Sequence, residues 1–115
     1  MKEKIKVIYK EVGKDPKVIE IQNTLEAKQK LVGGLIEAVE YKDVVLICNE
    51  EGKIYDLKPN VQFAKDYIAG NFLVAGDDFE TGDFISLTND QIKDIKEDLI
   101  SKSIKYENDY EMEVE

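Results

Sequence analysis

The longest uninterrupted apolar stretch in the chain is only five residues long, from Val44 to Cys48, and turn-forming residues separate it from other short apolar runs. A run of this length suits a buried strand and is far too short for a membrane-spanning helix. The 115 residues fit one compact domain, because two half-length domains would each bury too little apolar surface. The sequence therefore predicts a single domain made largely of short strands.

The N-terminal segment has the pattern of a hairpin. Apolar and polar residues alternate over residues 4–12, which is the period of a half-buried strand. Turn-forming residues follow at 13–16, and a second short strand pattern covers residues 18–21. These two strands are predicted to pair.

The middle of the chain contains further strand patterns. Residues 35–41, 44–49 and 53–57 are joined by short turn-like connections and predict an antiparallel meander. Residues 61–68 predict one or two helical turns, and residues 71–76 predict another buried strand.

A short helix is expected between the hairpin and the meander. Asn23 and Glu26 have the spacing of a capping box, in which each side chain bonds to the backbone near the other. Gly33 and Gly34 follow the apolar side of this segment. Glycine takes the left-handed conformation that closes a helix, so we expect the helix to end there.

The clearest element is a C-terminal helix from Asn89 to Ser103. Thr88 and Gln91 form a second capping-box pattern at its start. We expect it to cover the sheet with three apolar residues at helical spacing, Ile92, Ile95 and Leu99.

Together these elements predict an α+β fold. We expect one domain over residues 1–104, with a mainly antiparallel sheet of about five to seven strands and two helices packed on one face. Residues 105–115 carry five acidic residues and little apolar surface, which predicts a disordered acidic tail.

The composition excludes several kinds of catalytic site. The sequence has no histidine, and all sixteen of its basic residues are lysines. A Ser-His-Asp triad, a His-ligated metal site and an arginine clamp on phosphate therefore cannot form. We expect no enzymatic activity, no catalytic residues, no bound metal and no cofactor.

The charge and the cysteine count restrict partners and location. With a net charge of −9 we expect no direct nucleic-acid binding, because the protein would repel the phosphate backbone. The single cysteine, Cys48, lies inside the apolar run, which predicts a buried thiol. A lone cysteine cannot form an intramolecular disulfide, so we expect a reducing cytoplasm as the location. We expect no membrane association, and the oligomeric state is left open.

A small-molecule site is a second interpretation of several polar and glycine residues at predicted corners. The candidate ligand-binding residues are Gly33, Gly34, Glu37, Asn60, Asp77 and Asp78. In this interpretation a nucleotide or metabolite lies between three loops.

Structural roles compete with ligand binding at these positions. Gly33 and Gly34 fit helix closure, and Asn60 fits the cap of a following helical turn. Four carboxylates within residues 76–83 suggest a hard cation, but their spacing differs from that of an EF-hand, so a solvated hairpin loop is favoured.

Several segments together resemble the domain of unknown function 3846 family. They are Leu25-Glu26-Ala27 through Gln29, Val32-Gly33-Gly34, Ile36-Glu37-Ala38-Val39, Val45 to Lys53, Pro59-Asn60, Ile68 to Phe72, Gly76-Asp77-Asp78, and Ser86-Leu87-Thr88 with Gln91. The resemblance covers roughly residues 5–92. It implies a small protein or module of bacteriophages, plasmids or conjugative elements, and no activity comes with it.

Because of this resemblance, and because the sequence lacks the histidine and arginine residues of common catalytic sites, we expect a non-catalytic accessory protein of a mobile genetic element. Its partner would be a host or element-encoded protein. Its negative charge would suit a basic surface on that partner. The small-ligand module is the alternative, and an enzyme using carboxylates and a divalent ion is the third hypothesis.

Overall fold

The computed structural model describes residues 3–106. In chain order the elements are β1 (Lys4–Lys10), β2 (Lys17–Gln22), α1 (Leu25–Val32), β3 (Ile36–Tyr41), β4 (Val44–Asn49), β5 (Pro59–Gln62), β6 (Tyr67–Ala69), β7 (Phe72–Asp77), β8 (Phe84–Ile85) and α2 (Asn89–Lys102). The α+β class and the N-terminal hairpin of β1 and β2 are as predicted.

Six strands form one antiparallel sheet, in the order β2-β1-β7-β4-β3, with β8 beside β7. β5 and β6 form a separate two-stranded sheet. β7 lies in the centre of the sheet, between β1 and β4. It therefore connects the β1–β2 hairpin to the β3–β4 hairpin, although it comes after both in the sequence. β2 and β3 are the two ends of this strand order.

The two helices lie on opposite faces of the sheet, so the prediction that both pack on one face was wrong. Ile95 and Leu99 of α2 share a core cluster with Leu46 of β4, whereas Val32 of α1 shares the other cluster with Ile47. The apolar run of β4 places successive side chains on alternate faces. Both faces of β4 are therefore apolar and each is buried by other parts of the fold. Strands buried on both faces typically have continuous apolar sequences.

α1 begins one residue later than its predicted capping box. Thr24 is the N-cap, and its hydroxyl accepts a hydrogen bond from the N–H of Ala27 at 3.1 Å. Asn23 instead donates from its side chain to the carbonyl of Phe84 at 3.0 Å, which ties the helix start to β8. Gly33 ends the helix with φ of 84°, as predicted.

α2 follows its prediction closely. The capping box of Thr88 and Gln91 has both of its hydrogen bonds, at 3.1 and 2.9 Å. Ile95 and Leu99 are fully buried, and Ile92 packs beside them at the edge of the same cluster.

Two predictions for the middle of the chain were wrong. Residues 53–57 form consecutive turns, because β7 occupies the side of β4 where a third meander strand would pair. Residues 61–68 are not helical: Val61 pairs with Ile68 in the β5–β6 hairpin. Val61 is fully buried, so its side chain belongs to the core.

The start of the predicted tail runs beside β5. The hydroxyl of Tyr106 donates to the carbonyl of Pro59 at 2.6 Å, and the N–H of Ile104 donates to the carbonyl of Asn60 at 2.9 Å. The rest of that tail, residues 107–115, lies outside the described residues. Of the two helices between residues 3 and 106, neither has the length and apolar character needed to cross a bilayer.

Candidate functional site

A groove of about 500 Å³ lies between β3, the turns that follow β4, and the β5–β6 hairpin. We call it the β3 groove. Its lining residues are Glu37, Val39, Tyr41, Leu46, Cys48, Asn49, Glu50, Gly52, Lys53, Ile54, Phe63, Asp66, Tyr67, Ile68 and Ala69. Its volume is in the range of small-ligand and peptide-side-chain pockets.

The floor of the β3 groove follows from strand alternation. Glu37, Val39 and Tyr41 are every second residue of β3, and Leu46 and Cys48 have the same relation in β4. All five therefore point to the same face of the sheet. α2 packs on this face over β4. It does not cover the middle of β3, where Val39 is 40% exposed.

The turns after β4 form one wall of the groove. The side-chain oxygen of Asn49 accepts a hydrogen bond from the N–H of Glu51 at 2.8 Å, which starts the first turn. Gly52 then passes close to β6: a Cβ on this residue would lie 2.8 Å from the carbonyl oxygen of Ala69. Only glycine permits this approach, so Gly52 sets the width of the groove at this end.

An ion pair joins the two walls. The Lys53 ammonium in the turns bonds to the Asp66 carboxylate in the β5–β6 hairpin and lies 4.6 Å from the centre of the Tyr67 ring. The bond to Asp66 raises the pKa of Lys53, and the bond from Lys53 lowers the pKa of Asp66. The negative charge of Asp66 balances the positive charge of Lys53. Two further lining residues, Glu37 and Glu50, therefore give the groove an excess of negative charge.

Cys48 is poorly suited to act as a nucleophile in this groove. It is 7% exposed, and burial, together with the charge of Glu37, raises its thiol pKa to about 11. Its thiol lies 3.9 Å from the carbonyl oxygen of Glu37. A neutral thiol neither attacks carbon nor binds a soft metal readily.

Asn60 was predicted to cap a helical turn, and that prediction was wrong because no helix follows it. Its side chain is fully buried: Oδ1 accepts from the Lys10 ammonium at 2.8 Å, and Nδ2 donates to the carbonyls of Lys10 and Gly70, each at 2.9 Å. Burial lowers the pKa of Lys10. All the polar atoms of the Asn60 side chain are thus used within the fold.

The other candidate residues do not converge on one pocket. Gly33 and Gly34 lie near the end of β4, where a Cβ on Gly34 would meet the Asn49 side chain at 3.0 Å. Asp77 lies at the opposite end of the sheet, because Gly76 pairs with Val44 at the start of β4. The predicted ligand site between three loops is therefore not assembled, and of its residues Glu37 alone lines the β3 groove.

The acidic loop after β7 closes a hairpin. Asp78 Oδ1 accepts hydrogen bonds from the backbone N–H groups of Glu80 and Thr81, at 3.0 and 3.4 Å. This is the solvated turn favoured from the sequence. Across the part of the chain that the structure describes, no three Cys, Asp or Glu side chains are arranged to hold a metal ion.

Sequence reasoning missed most of the groove wall. Lys53 and Ile54 were assigned to a strand, and Asp66 and Tyr67 to a helical turn, so their convergence was not predicted. The one available signal was the run from Asn49 to Gly52, whose composition predicts a turn.

Comparison with known proteins gives a family and nothing more specific. No curated protein and no solved structure matches the chain. One family, described as "Domain of unknown function (DUF3846)", has a model that matches residues 5–100. The match confirms the resemblance noted in the sequence and covers most of the domain, including β1 to β8 and the buried part of α2. The chain therefore belongs to the DUF3846 family.

Proposed function

We propose that this chain is a non-catalytic accessory protein of a mobile genetic element and that it acts by binding another protein through the β3 groove. The proposal follows from a groove with an apolar floor, an acidic rim and a protonated thiol. These features favour association over bond-making chemistry.

The observation that carries the proposal is the exposure of large apolar side chains on the groove wall. Ile54 on the wall is 78% exposed, and Val39 on the floor is 40% exposed. Tyr55, which follows Ile54 in the chain but does not line the groove, is 66% exposed. Clustered apolar exposure of this kind marks interaction surfaces, whereas single exposed apolar residues need no explanation. Tyrosine is also enriched at protein interfaces relative to the rest of the surface.

The association with a mobile element rests on the family resemblance and on composition. The chain is rich in lysine, isoleucine and glutamate and has no arginine, which suits an AT-rich bacterial genome. Cys48 is a free, buried thiol, which supports a reducing cytoplasm as the location.

Binding partners captured by the wild type and by two matched variants would test the proposal. Ile54→Asp places a charge on the groove wall, and Phe79→Asp makes the same change at a 70% exposed residue in the turn between β7 and β8. We expect a purified, identified partner to bind the wild type and Phe79→Asp equally and to bind Ile54→Asp at least about tenfold more weakly. Equal binding to all three proteins would refute the groove as the interface.

A small-ligand module is the second candidate, and the groove volume is the observation that favours it. About 500 Å³ with a mainly apolar lining is sufficient for a metabolite. Native mass spectrometry of the freshly purified protein tests this function. A stoichiometric extra mass that disappears in Ile54→Asp would support the small-ligand module over the protein-binding proposal.

A further inference from the structure

Within residues 3–106, β3 pairs with a strand on one side only, which leaves the other side of its backbone open. Its pairing with β4 places Tyr41 opposite Val44 across a two-residue turn, and the N–H of Glu50 donates to the carbonyl of Leu35 at 2.8 Å. Odd-numbered residues of β3 therefore bond to β4. The backbone groups of the even-numbered residues, Ile36, Ala38 and Glu40, point away from the sheet.

The same strand borders the β3 groove. Its odd-numbered side chains line the groove, so a strand added beside β3 would place every second side chain over the groove floor. Its other side chains would lie beside Ala38 and Glu40, which are both exposed. Strand addition of this kind draws affinity from backbone hydrogen bonds and specificity from alternate side-chain pockets.

Charge complementarity selects the partner. Glu40 lies on the face of β3 turned away from the groove, where it would be next to every second side chain of an added strand. Glu37 and Glu50 add negative charge at the groove itself, where Lys53 is already paired. A second copy of this chain would bring two acidic strands side by side, which is destabilising wherever like charges fall opposite each other. A strand with lysine or arginine at alternate positions would instead place positive charge beside the acidic side chains of β3, which is favourable.

We propose that β3 accepts an extended segment of a protein partner in which apolar and basic residues alternate, with the apolar side chains in the groove and the basic ones beside Glu40. This inference rests on the protein-binding function proposed above and names the class of partner.

β2, at the other end of the sheet, supplies a matched control. The N–H of Asn23 donates to the carbonyl of Glu3 at 2.9 Å, so the alternating pattern points the backbone of Glu20 away from β1. The β3 groove does not reach β2. A proline at an outward-facing position removes a free N–H without breaking a bond within the sheet.

The test uses a seven-residue peptide of alternating lysine and valine, and a second peptide with glutamate in place of lysine. Titration calorimetry at low and high salt compares the wild type with Ala38→Pro and Glu20→Pro. We expect saturable binding of the lysine peptide that weakens with salt. We also expect about tenfold weaker binding to Ala38→Pro, unchanged binding to Glu20→Pro and no binding of the glutamate peptide.

Each contrary result is informative. Absence of lysine-peptide binding, equal binding of both peptides, or equal effects of the two proline variants would overturn strand addition at β3. Circular dichroism and thermal unfolding of both variants show whether the fold is intact. If Ala38→Pro is unfolded, Ala38→Lys replaces it, because a lysine there repels the lysine peptide, and Glu20→Lys is its control. Binding of the lysine peptide must then be weaker to Ala38→Lys than to Glu20→Lys, and equal binding to the two would overturn the proposal. A natural partner that binds Ala38→Pro normally but fails to bind Ile54→Asp would refute strand addition and leave the proposed function standing.

Discussion

The ammonium of Lys10 donates to the side-chain oxygen of Asn60 over 2.8 Å, and neither residue is exposed to solvent. This contact joins the end of β1 to the start of the β5–β6 hairpin. The Asn60 amide also holds the carbonyl of Gly70, just before β7. One buried side chain therefore fixes the hairpin that forms a wall of the β3 groove.

Replacing Asn60 by leucine should lower the free energy of unfolding by about 3 kcal/mol, because it leaves a buried ammonium without a main partner. Urea denaturation measures the change. Asn89→Ala, at an exposed asparagine, is the control and should stay within about 0.5 kcal/mol of wild type. The double variant Lys10→Met with Asn60→Leu should lose less than the sum of the two single changes. Strict additivity would contradict the coupling of Lys10 and Asn60.

Local patterns were sufficient to predict the elements whose signals lie within a few residues of each other. The capping box of Thr88 and Gln91 and the left-handed conformation of Gly33 depend on nearby backbone alone, and both were predicted. The β3–β4 hairpin was also predicted, because a two-residue connection allows only antiparallel neighbours.

Long-range pairing determined the parts that were missed. β7 pairs with both β1 and β4, and this leaves residues 53–57 without a strand to join. The roles of Asn60 and Asp66 depend on Lys10 and Lys53, which are distant along the chain. No local pattern contains such contacts, so Glu37 was the one candidate residue that the structure places in the groove.

The Cys48 thiol should make the stability of the protein depend on alkaline pH. Its pKa rises from 9.0 to about 11 on folding, so the unfolded chain loses this proton first. The stabilisation is present below pH 9 and is lost as the pH rises toward 11, by roughly 2–3 kcal/mol in total.

Comparison with Cys48→Ala isolates this effect. Urea denaturation at pH 8 and pH 10.5 should show the wild type losing more stability than the variant. Other titrating groups, such as Tyr41, are present in both proteins and cancel in the difference. A parallel pH dependence of the two proteins would show that Cys48 is not buried as described.

Asp98 should be the carboxylate of α2 that matters most for stability. It accepts hydrogen bonds from the hydroxyl of Tyr41 and, at 2.6 Å, from the ammonium of Lys102, and it lies 3.7 Å from Lys42. Burial raises its pKa, but the two hydrogen bonds and the neighbouring charges together lower it below the usual value. We expect Asp98→Asn to cost about 1–2 kcal/mol at pH 7.

The sign of the pH dependence checks this assignment. A lowered carboxyl pKa stabilises the fold above the unfolded value of 3.8 and loses that effect as the pH falls through the folded value. The difference between wild type and Asp98→Asn in thermal unfolding should therefore shrink in acid. Asp94→Asn is the control: Asp94 is 61% exposed and has one ion pair at 3.6 Å, so its loss should cost less than about 0.5 kcal/mol.

The capping box of α2 should contribute measurably to the stability of the whole domain, because the helix it starts carries Ile95 and Leu99 into the core. Thr88→Ala removes the hydroxyl that accepts the N–H of Gln91 and should cost about 1 kcal/mol. Thr88→Ser keeps this oxygen and should recover most of the loss. Thermal unfolding of the three proteins measures the effect, and an equal loss in both variants would assign it to the Thr88 methyl group instead of the cap.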